Sequence, residues 1–513
     1  MKITVLLKTC LICTVILIIT SCDQTKTKPS DYVNPFIGTQ YFGHTFPGAS
    51  LPYAMVHVSP DCNTTGWTYA AGYAWQDNTI MGFSHTHFSG VGMTSGGDIL
   101  FQPTVGQRLQ TLAGSRDNPD EGYRSRFDHS DEIASPGYYS VRLKDYNVKV
   151  ELTTTKRTAF HRYTFPETKN ANIIIDLGHQ IGSARATEMS QISIINDTRV
   201  EGFKSTPAGK VYFCAEFNKP FLYYGTFDAE RRTPESDGGI FPYKSGEKGE
   251  KIGAFINYKT SDNEEILVKV ALSYTGIEGA RKNLEAEITD WDFDRIRTEA
   301  ENTWNNELSR IEIKGATEEQ QEIFYTSLYH SLVAQYIGQD VDGKYFGMDG
   351  NVHVAEGYDF YPSFSCWDTY RTQHPLLTII GSRHVNDFHS GTCRREDFGQ
   401  FSTIHFGHDH VSEKHIDPIL MLVAQFDGLA RTRGEQDAVT ERLQRIGQQF
   451  SNRLIVIHDE NRSLSTKFLL QGSGRVRSIF HGCRQENDER RALARLTRQV
   501  DVAAMLLDDA IHR

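Results

Sequence analysis

Cysteine is scarce and poorly placed for chemistry. Of eight cysteines in 513 residues, Cys10 and Cys13 fall in an apolar leader and Cys22 ends it. Cys62, Cys214, Cys366, Cys393 and Cys483 are scattered with no C-x-x-C among them, so neither a zinc knot nor a disulfide framework is indicated. Long apolar runs are missing as well: the stretch from Leu11 to Ile19 is short for a full membrane span. Positive charge is in deficit, with a net charge of −11, which argues against a nucleic-acid partner. One further absence is local. All 23 tyrosines and all 5 tryptophans lie before Phe388, and none follows it.

What the N-terminus does contain reads as an export signal. Lys2 and Lys8 precede the apolar stretch, and Ile19-Thr20-Ser21-Cys22 closes it. Cys22 directly after small residues resembles a bacterial lipoprotein box, in which that cysteine is acylated. Residues 1–22 are then a lipoprotein signal peptide, with an ordinary signal peptide or an anchor as the alternatives. Residues 23–30 read as a polar tether. The expected location is the bacterial cell envelope, as an outer-membrane lipoprotein facing the periplasm or the surface.

A chain of this length calls for two or more domains. From 31 to 275 the pattern is strands and glycine-rich loops. Val148–Thr154, Ile173–Leu177, Lys210–Phe217, Phe221–Phe227 and Ile266–Tyr274 are β-branched or aromatic and end in turn residues. Many strands without intervening helices predict a large β-sandwich. Near Thr275 the period changes to 3.6: Ala280, Leu284, Ile288 and Trp291 share one helical face, and Phe293, Ile296, Ala300 and Trp304 share another. These form a linker over 276–315. Thr317-Glu318-Glu319-Gln320 is a capping box that opens a helix with Phe324, Leu328 and Leu332 inward. Asp340-Val341-Asp342-Gly343-Lys344-Tyr345 lacks EF-hand spacing and reads as an acidic turn.

Three stretches carry chemistry. Gly43-His44-Thr45-Phe46-Pro47-Gly48 and Gly82-Phe83-Ser84-His85-Thr86-His87-Phe88-Ser89-Gly90-Val91-Gly92 are loops rich in glycine and histidine. His85 and His87 stand at i, i+2, which on a strand turns both to one side. They fit a hydroxyl-binding face, a satisfied structural pair or a metal pair, the last weakened by the lack of a third ligand. Trp67 and Trp75 fit either platform aromatics or core. The third stretch, Phe364-Ser365-Cys366-Trp367-Asp368-Thr369-Tyr370-Arg371-Thr372-Gln373-His374, crowds an acid, a base and aromatics together. Such residues grip a polar ligand with a flat apolar face, as a sugar ring is. An Asp–Arg pair closing a turn is the alternative.

The Trp367-Asp368-Thr369-Tyr370-Arg371 stretch resembles the signature of glycoside hydrolase family 92, the calcium-dependent exo-α-mannosidases. The two loops, the linker helices around Asn283-Leu284 and Trp291-Asp292-Phe293, and Phe324-Tyr325-Thr326-Ser327-Leu328-Tyr329-His330 resemble the family as well. The resemblance implies a multidomain β + α protein: a supersandwich-like β-sandwich followed by an (α/α)6 toroid whose start occupies 316–388. It implies hydrolysis of terminal α-linked mannose on glycans or glycoproteins with inversion, and a Ca²⁺ cofactor. The implied sugar-holding set is Trp367, Asp368 and Arg371, faced by His85, His87 and Trp67 across a cleft. The family's acid, base and most calcium ligands lie in later helices, so no residue here inherits those roles.

After Phe388 the character changes. Arg outnumbers Lys by about eight to one, His becomes denser, and the resemblance ends. Residues 389–513 are therefore expected to be a shifted reading frame or a fused or disordered tail, leaving the toroid incomplete. On that expectation this form is inactive, with a non-catalytic glycan-binding remnant as the alternative. The histidines of His405-Phe406-Gly407-His408-Asp409-His410 then look metal-like by accident of composition.

Overall fold

The computed structural model describes residues 26–381 apart from 93, 183–185, 208, 232–238, 348, 363–368, 370 and 371, together with 387 and the strands 454–459, 464–471 and 475–481. Two compact units divide at residue 394.

The first unit opens with two large antiparallel sheets. One has eight strands in the order Ala49–Ser50, His57–Asp61, Gly82–Ser84, Leu100–Val105, Thr168–Asp176, Ile252–Thr260, Tyr223–Asp228 and Ile240–Pro242. The other has nine, with Gly209–Phe217, Glu264–Ser273, Thr158–Phe165, Val148–Thr154 and Tyr138–Leu143 side by side at its centre. Period-2 alternation builds the core between them. In Thr158–Phe165, Ala159, Tyr163 and Phe165 join Val150, Leu152, Ile173, Ile175 and Val268 in the interior. Phe160, on the opposite face, joins Leu267, Phe293 and Ile296 instead. The sandwich expected over 31–275 is therefore present. Two of its strands are shifted: the strand expected over Ile173–Leu177 runs from Thr168 to Asp176, and the strand expected from Phe221 begins at Tyr223. Phe221 is withheld from the ladder because its N–H donates to the Asp197 carbonyl.

The outer face of the nine-stranded sheet is covered by helices α1 (Ile277–Glu287) and α2 (Phe293–Leu308). Of the faces read from the sequence, Ala280 and Leu284 on α1 and Phe293, Ile296, Ala300 and Trp304 on α2 are buried, whereas Ile288 and Trp291 fall past the end of α1; Leu308 adds to the buried face of α2. Trp304 is fully buried, donates from Nε1 to the Ser50 carbonyl at 2.7 Å and packs on Tyr329 at 4.5 Å between ring centres. One side chain thus joins a sandwich edge, the linker and the helix that follows. That helix, α3 (Glu318–Val333), starts at the expected capping box, with the Thr317 side chain and Gln320 reciprocally bonded. Leu328 and Leu332 are buried, and Phe324 is partly buried against the core. The acidic turn is present. Asp340 accepts from Ser273 at 2.8 Å and Asn283 at 2.7 Å, tying the turn to the sheet and α1. Helix α4 (Gln373–Ile380) follows.

In the second unit the described strands Leu454–Asp459, Leu464–Gln471 and Arg475–His481 form one antiparallel sheet. The signal peptide, Cys22 and the histidines at 405–410 lie outside the described residues. Among the described residues no helix is long and apolar enough to cross a membrane.

Candidate functional site

Three loops meet at the edge of the eight-stranded sheet that holds Ala49–Ser50 and His57–Asp61. In the first, Tyr41 and His44 adopt left-handed backbone at φ 48° and 55°. That conformation is uncommon for residues with bulky side chains, and it clusters at functional sites. It turns Tyr41 and Phe42 out to solvent, 67% and 68% exposed. The second loop brings Trp67, 53% exposed, edge-on to the His44 ring at 5.1 Å. The third passes close beneath: the Gly90 N–H donates to the His44 carbonyl at 2.7 Å. A Cβ on Gly92 would stand 3.0 Å from the Trp67 indole, so the glycine lets this loop pass close beneath the ring. Tyr41, Phe42 and Trp67 form an exposed aromatic rim with His44 at its base. His44 itself is buried, its Nε2 has no protein partner, and burial lowers its pKa.

Helix α3 is fixed to the same edge. The His330 ring bonds the Ile37 carbonyl at 3.1 Å. The Tyr53 N–H donates to the Leu332 carbonyl, and the Ile337 N–H to the Tyr53 carbonyl. Tyr336 lies against His57 and Phe88. The first helix after the linker therefore ends beside this edge.

Of the residues expected to hold sugar, Trp67 is on the rim. Trp75 is not: it is stacked on His129 at 4.0 Å and edge-on to Phe36, within the core. Trp367, Asp368 and Arg371 lie outside the described residues. Their flanks are placed. Tyr361 is buried edge-on to Tyr53, and Gln373 donates to the Ser331 carbonyl on α3 at 2.6 Å.

His85 and His87 require a correction. The strand ends at Ser84, so the i, i+2 rule no longer applies, and both rings are buried in separate settings. His85 donates from Nδ1 to the Ile99 carbonyl at 2.6 Å, and its Nε2 meets Nε2 of His161 at 3.0 Å. The Tyr163 hydroxyl bonds Nδ1 of His161 at 2.8 Å. Neutral rings satisfy this whole relay: Tyr163 donates to His161, His161 to His85, and His85 to a carbonyl. Burial pushes the His85 pKa down to about 4 and His161 well below its ordinary value. His87 bonds the His57 carbonyl through Nδ1 at 2.8 Å and Asp61 through Nε2 at 2.8 Å. No ring nitrogen of either histidine is left to meet a hydroxyl.

Asp61, absent from the sequence-based set, is fully buried beneath the rim. Burial works against its charge, yet His87 and His179 together hold its carboxyl well below the usual carboxylate range. Asp61 and His179 are 118 positions apart, so no local pattern announces them. Tyr41 and Phe42 stand next to a quoted motif, but their exposure depends on backbone conformation that composition does not reveal. Among the described residues no group of three His, Cys, Asp or Glu side chains is set to hold a metal. The calcium implied by resemblance thus has no ligand set there.

Comparison with known proteins agrees with this architecture. Residues 32–273 match the glycosyl hydrolase family 92 N-terminal domain, and residues 279–411 match the family 92 catalytic domain. The likeness therefore runs on to 411 instead of ending at 388. A family GH92 α-mannosidase from Bacteroides thetaiotaomicron, solved with mannoimidazole, is 37% identical with a TM-score of 0.67, covering 71% of this chain and 48% of that one. An inverting family GH92 mannosidase from the same organism, 23% identical with a TM-score of 0.65 over 85% of this chain and 57% of that one, shares the fold. An uncharacterized secreted glycosidase of Arthroderma benhamiae is 27% identical over 67% of this chain and 45% of its own length. The chain spans about half the length of these relatives. A two-sheet sandwich, helices across its outer face, a capped helix that ends beside the rim and two matching domain models lead to one assignment: the chain belongs to glycosyl hydrolase family 92.

Proposed function

We propose that the rim of Tyr41, Phe42 and Trp67 receives the terminal α-linked mannose of a glycan, as the sandwich wall of an inverting α-mannosidase site. The observation that carries this reading is the rim itself. Three exposed aromatics, Tyr41 among them on left-handed backbone, stand around the loop of His44, a buried histidine whose Nε2 lacks a protein partner. Sugar C–H faces stack on aromatic rings, and an unpaired imidazole nitrogen suits a hydroxyl. The titrating chain is expected to bind methyl α-mannoside with a change in tryptophan fluorescence. Trp67→Ala should weaken that binding about tenfold, the scale of one aromatic contact; equal affinity removes Trp67 from the site.

Inversion needs two carboxyl groups about 6.5–9.5 Å apart, one protonating the leaving oxygen and one driving water onto the opposite face. No described residue is assigned either role. Trp367, Asp368 and Arg371 remain the proposed partners of the rim, with Asp368 accepting from sugar hydroxyls and Arg371 orienting it. Calcium dependence belongs to this proposal too: mannose release that EDTA abolishes supports it, and release indifferent to EDTA removes it. Binding without release supports the glycan-binding reading. Acylation of Cys22 would hold the protein at the cell envelope, and loss of membrane fractionation in Cys22→Ala is its check.

A further inference from the structure

We infer that Asp61 is a positioning residue: a single buried carboxylate that gathers the loops carrying His87, His179 and Gly72 under the rim and sets where Trp67 stands. Its importance for sugar binding rests on the reading of the rim given above. Asp61 ends the strand His57–Asp61 and accepts three hydrogen bonds. They come from His87 Nε2 at 2.8 Å, His179 Nε2 at 2.8 Å and the Ser84 hydroxyl at 2.6 Å. Ser84 and His87 lie on or beside one loop and His179 on another, and both loops are stitched to the rim. The chain beyond His87 carries Gly90 and Gly92, which contact His44 and Trp67. The chain beyond His179 donates from Ile181 to the Gly96 carbonyl and from Gly182 to the Thr64 carbonyl. The Trp67 loop returns at Gly72, whose carbonyl accepts from Cys62 and Asn63. A Cβ at Gly72 would lie 1.9 Å from Asp61 Oδ1, so this loop is packed on the carboxylate itself.

The hydrogen-bonding pattern explains why a carboxylate occupies the centre. His87 meets an acceptor at both ring nitrogens, the His57 carbonyl and Asp61. Both ring nitrogens thus face acceptors, and Asp61, which offers only acceptor oxygens, supplies one of them. An amide in the same place would present a donor to at least one of the imidazole N–H groups. Unpaired buried donors are costly, and here they are relieved by moving a loop. Lys204, buried from the opposite sheet, strengthens the arrangement by bonding the His179 carbonyl at 2.5 Å and Asp98 at 3.1 Å.

The test uses the full chain labelled with 5-fluorotryptophan. The five tryptophans are followed by fluorine NMR, and Trp67→Phe identifies the Trp67 signal. In Asp61→Asn the Trp67 resonance should shift or split while those of Trp291 and Trp304 stay in place, and methyl α-mannoside affinity should fall about tenfold. A purely stabilising role would lower the melting temperature and leave the folded-state Trp67 signal where it was; that result overturns the inference. Should Asp61→Asn not fold, Ser84→Ala decides. It removes one of three donors and should move the Trp67 signal by a smaller amount, and an unmoved signal overturns the inference. A wild-type chain that binds no mannoside while Trp67 still moves in Asp61→Asn sinks the function of the rim and leaves the positioning role standing.

Discussion

Two buried regions of the sandwich domain are built by opposite means. Outward, Phe160, Leu267, Ile288, Phe293 and Ile296 form an apolar seam under the linker helices. Inward and towards the rim, His57, Asp61, His85, His87, His161, His179 and Lys204 are buried with their polar atoms aimed at one another. Apolar contact is non-directional, so the helical cover gains stability from area while tolerating small shifts. Hydrogen bonds between buried groups admit few geometries and penalise the rest. The polar end therefore fixes the placement of loops, and the apolar cover holds the domain together.

Proton concentration should separate the two most strongly. Burial pushes His57 and His85 down to about 4 and His161 well below its ordinary value. Their folded-state pKa values lie below the unfolded value of about 6.5, so the unfolded chain takes up protons first as the pH falls. Stability is full above pH ~6.5 and declines below it, levelling as the folded rings protonate near pH ~4. Each ring contributes up to about 1.4 kcal/mol per pH unit, a total of several kcal/mol. Burial raises Glu132 and Asp340, which offsets part of that slope. Denaturant unfolding at a series of pH values measures it, and a flat profile between pH 6.5 and 4.5 would contradict the neutral relay.

The cover should respond to truncation and not to pH. Phe160→Ala removes a fully buried ring from the seam and is expected to destabilise by about 3–5 kcal/mol. The loss should be equal at pH 7 and pH 5. A loss that depends on pH would mean the two regions are coupled, and the contrast between them would fail. The smallest effect belongs to a helix end remote from both: Thr317→Ala breaks an exposed capping box at about 1 kcal/mol. Faster amide exchange confined to the first turn of α3 is its signature.

Much of the scaffold was legible because its signals are local. The strand Val148–Thr154 has the bounds read from alternation alone. The buried faces of α1 and α2 follow the 3.6-residue period, and the start of α3 follows one capping motif. The site was less legible. Spacing placed His85 and His87 on one strand face, but the chain leaves the strand at Ser84. His85 is held instead by the carbonyl of Ile99, a β-branched residue at φ 60°. Nothing in composition announces a left-handed isoleucine, since only the surrounding contacts make such a conformation tolerable.

By itself the sequence determined the order of elements, the face each one buries and the family to which the chain belongs. These follow from side-chain periodicity and from motifs a few residues long. Tertiary structure alone decided which histidines are neutral, which one faces a carboxylate, and which aromatics reach solvent. Those outcomes depend on groups over a hundred positions apart, such as Asp61 and His179, and on the low-dielectric interior that forms only once both sheets have closed around them.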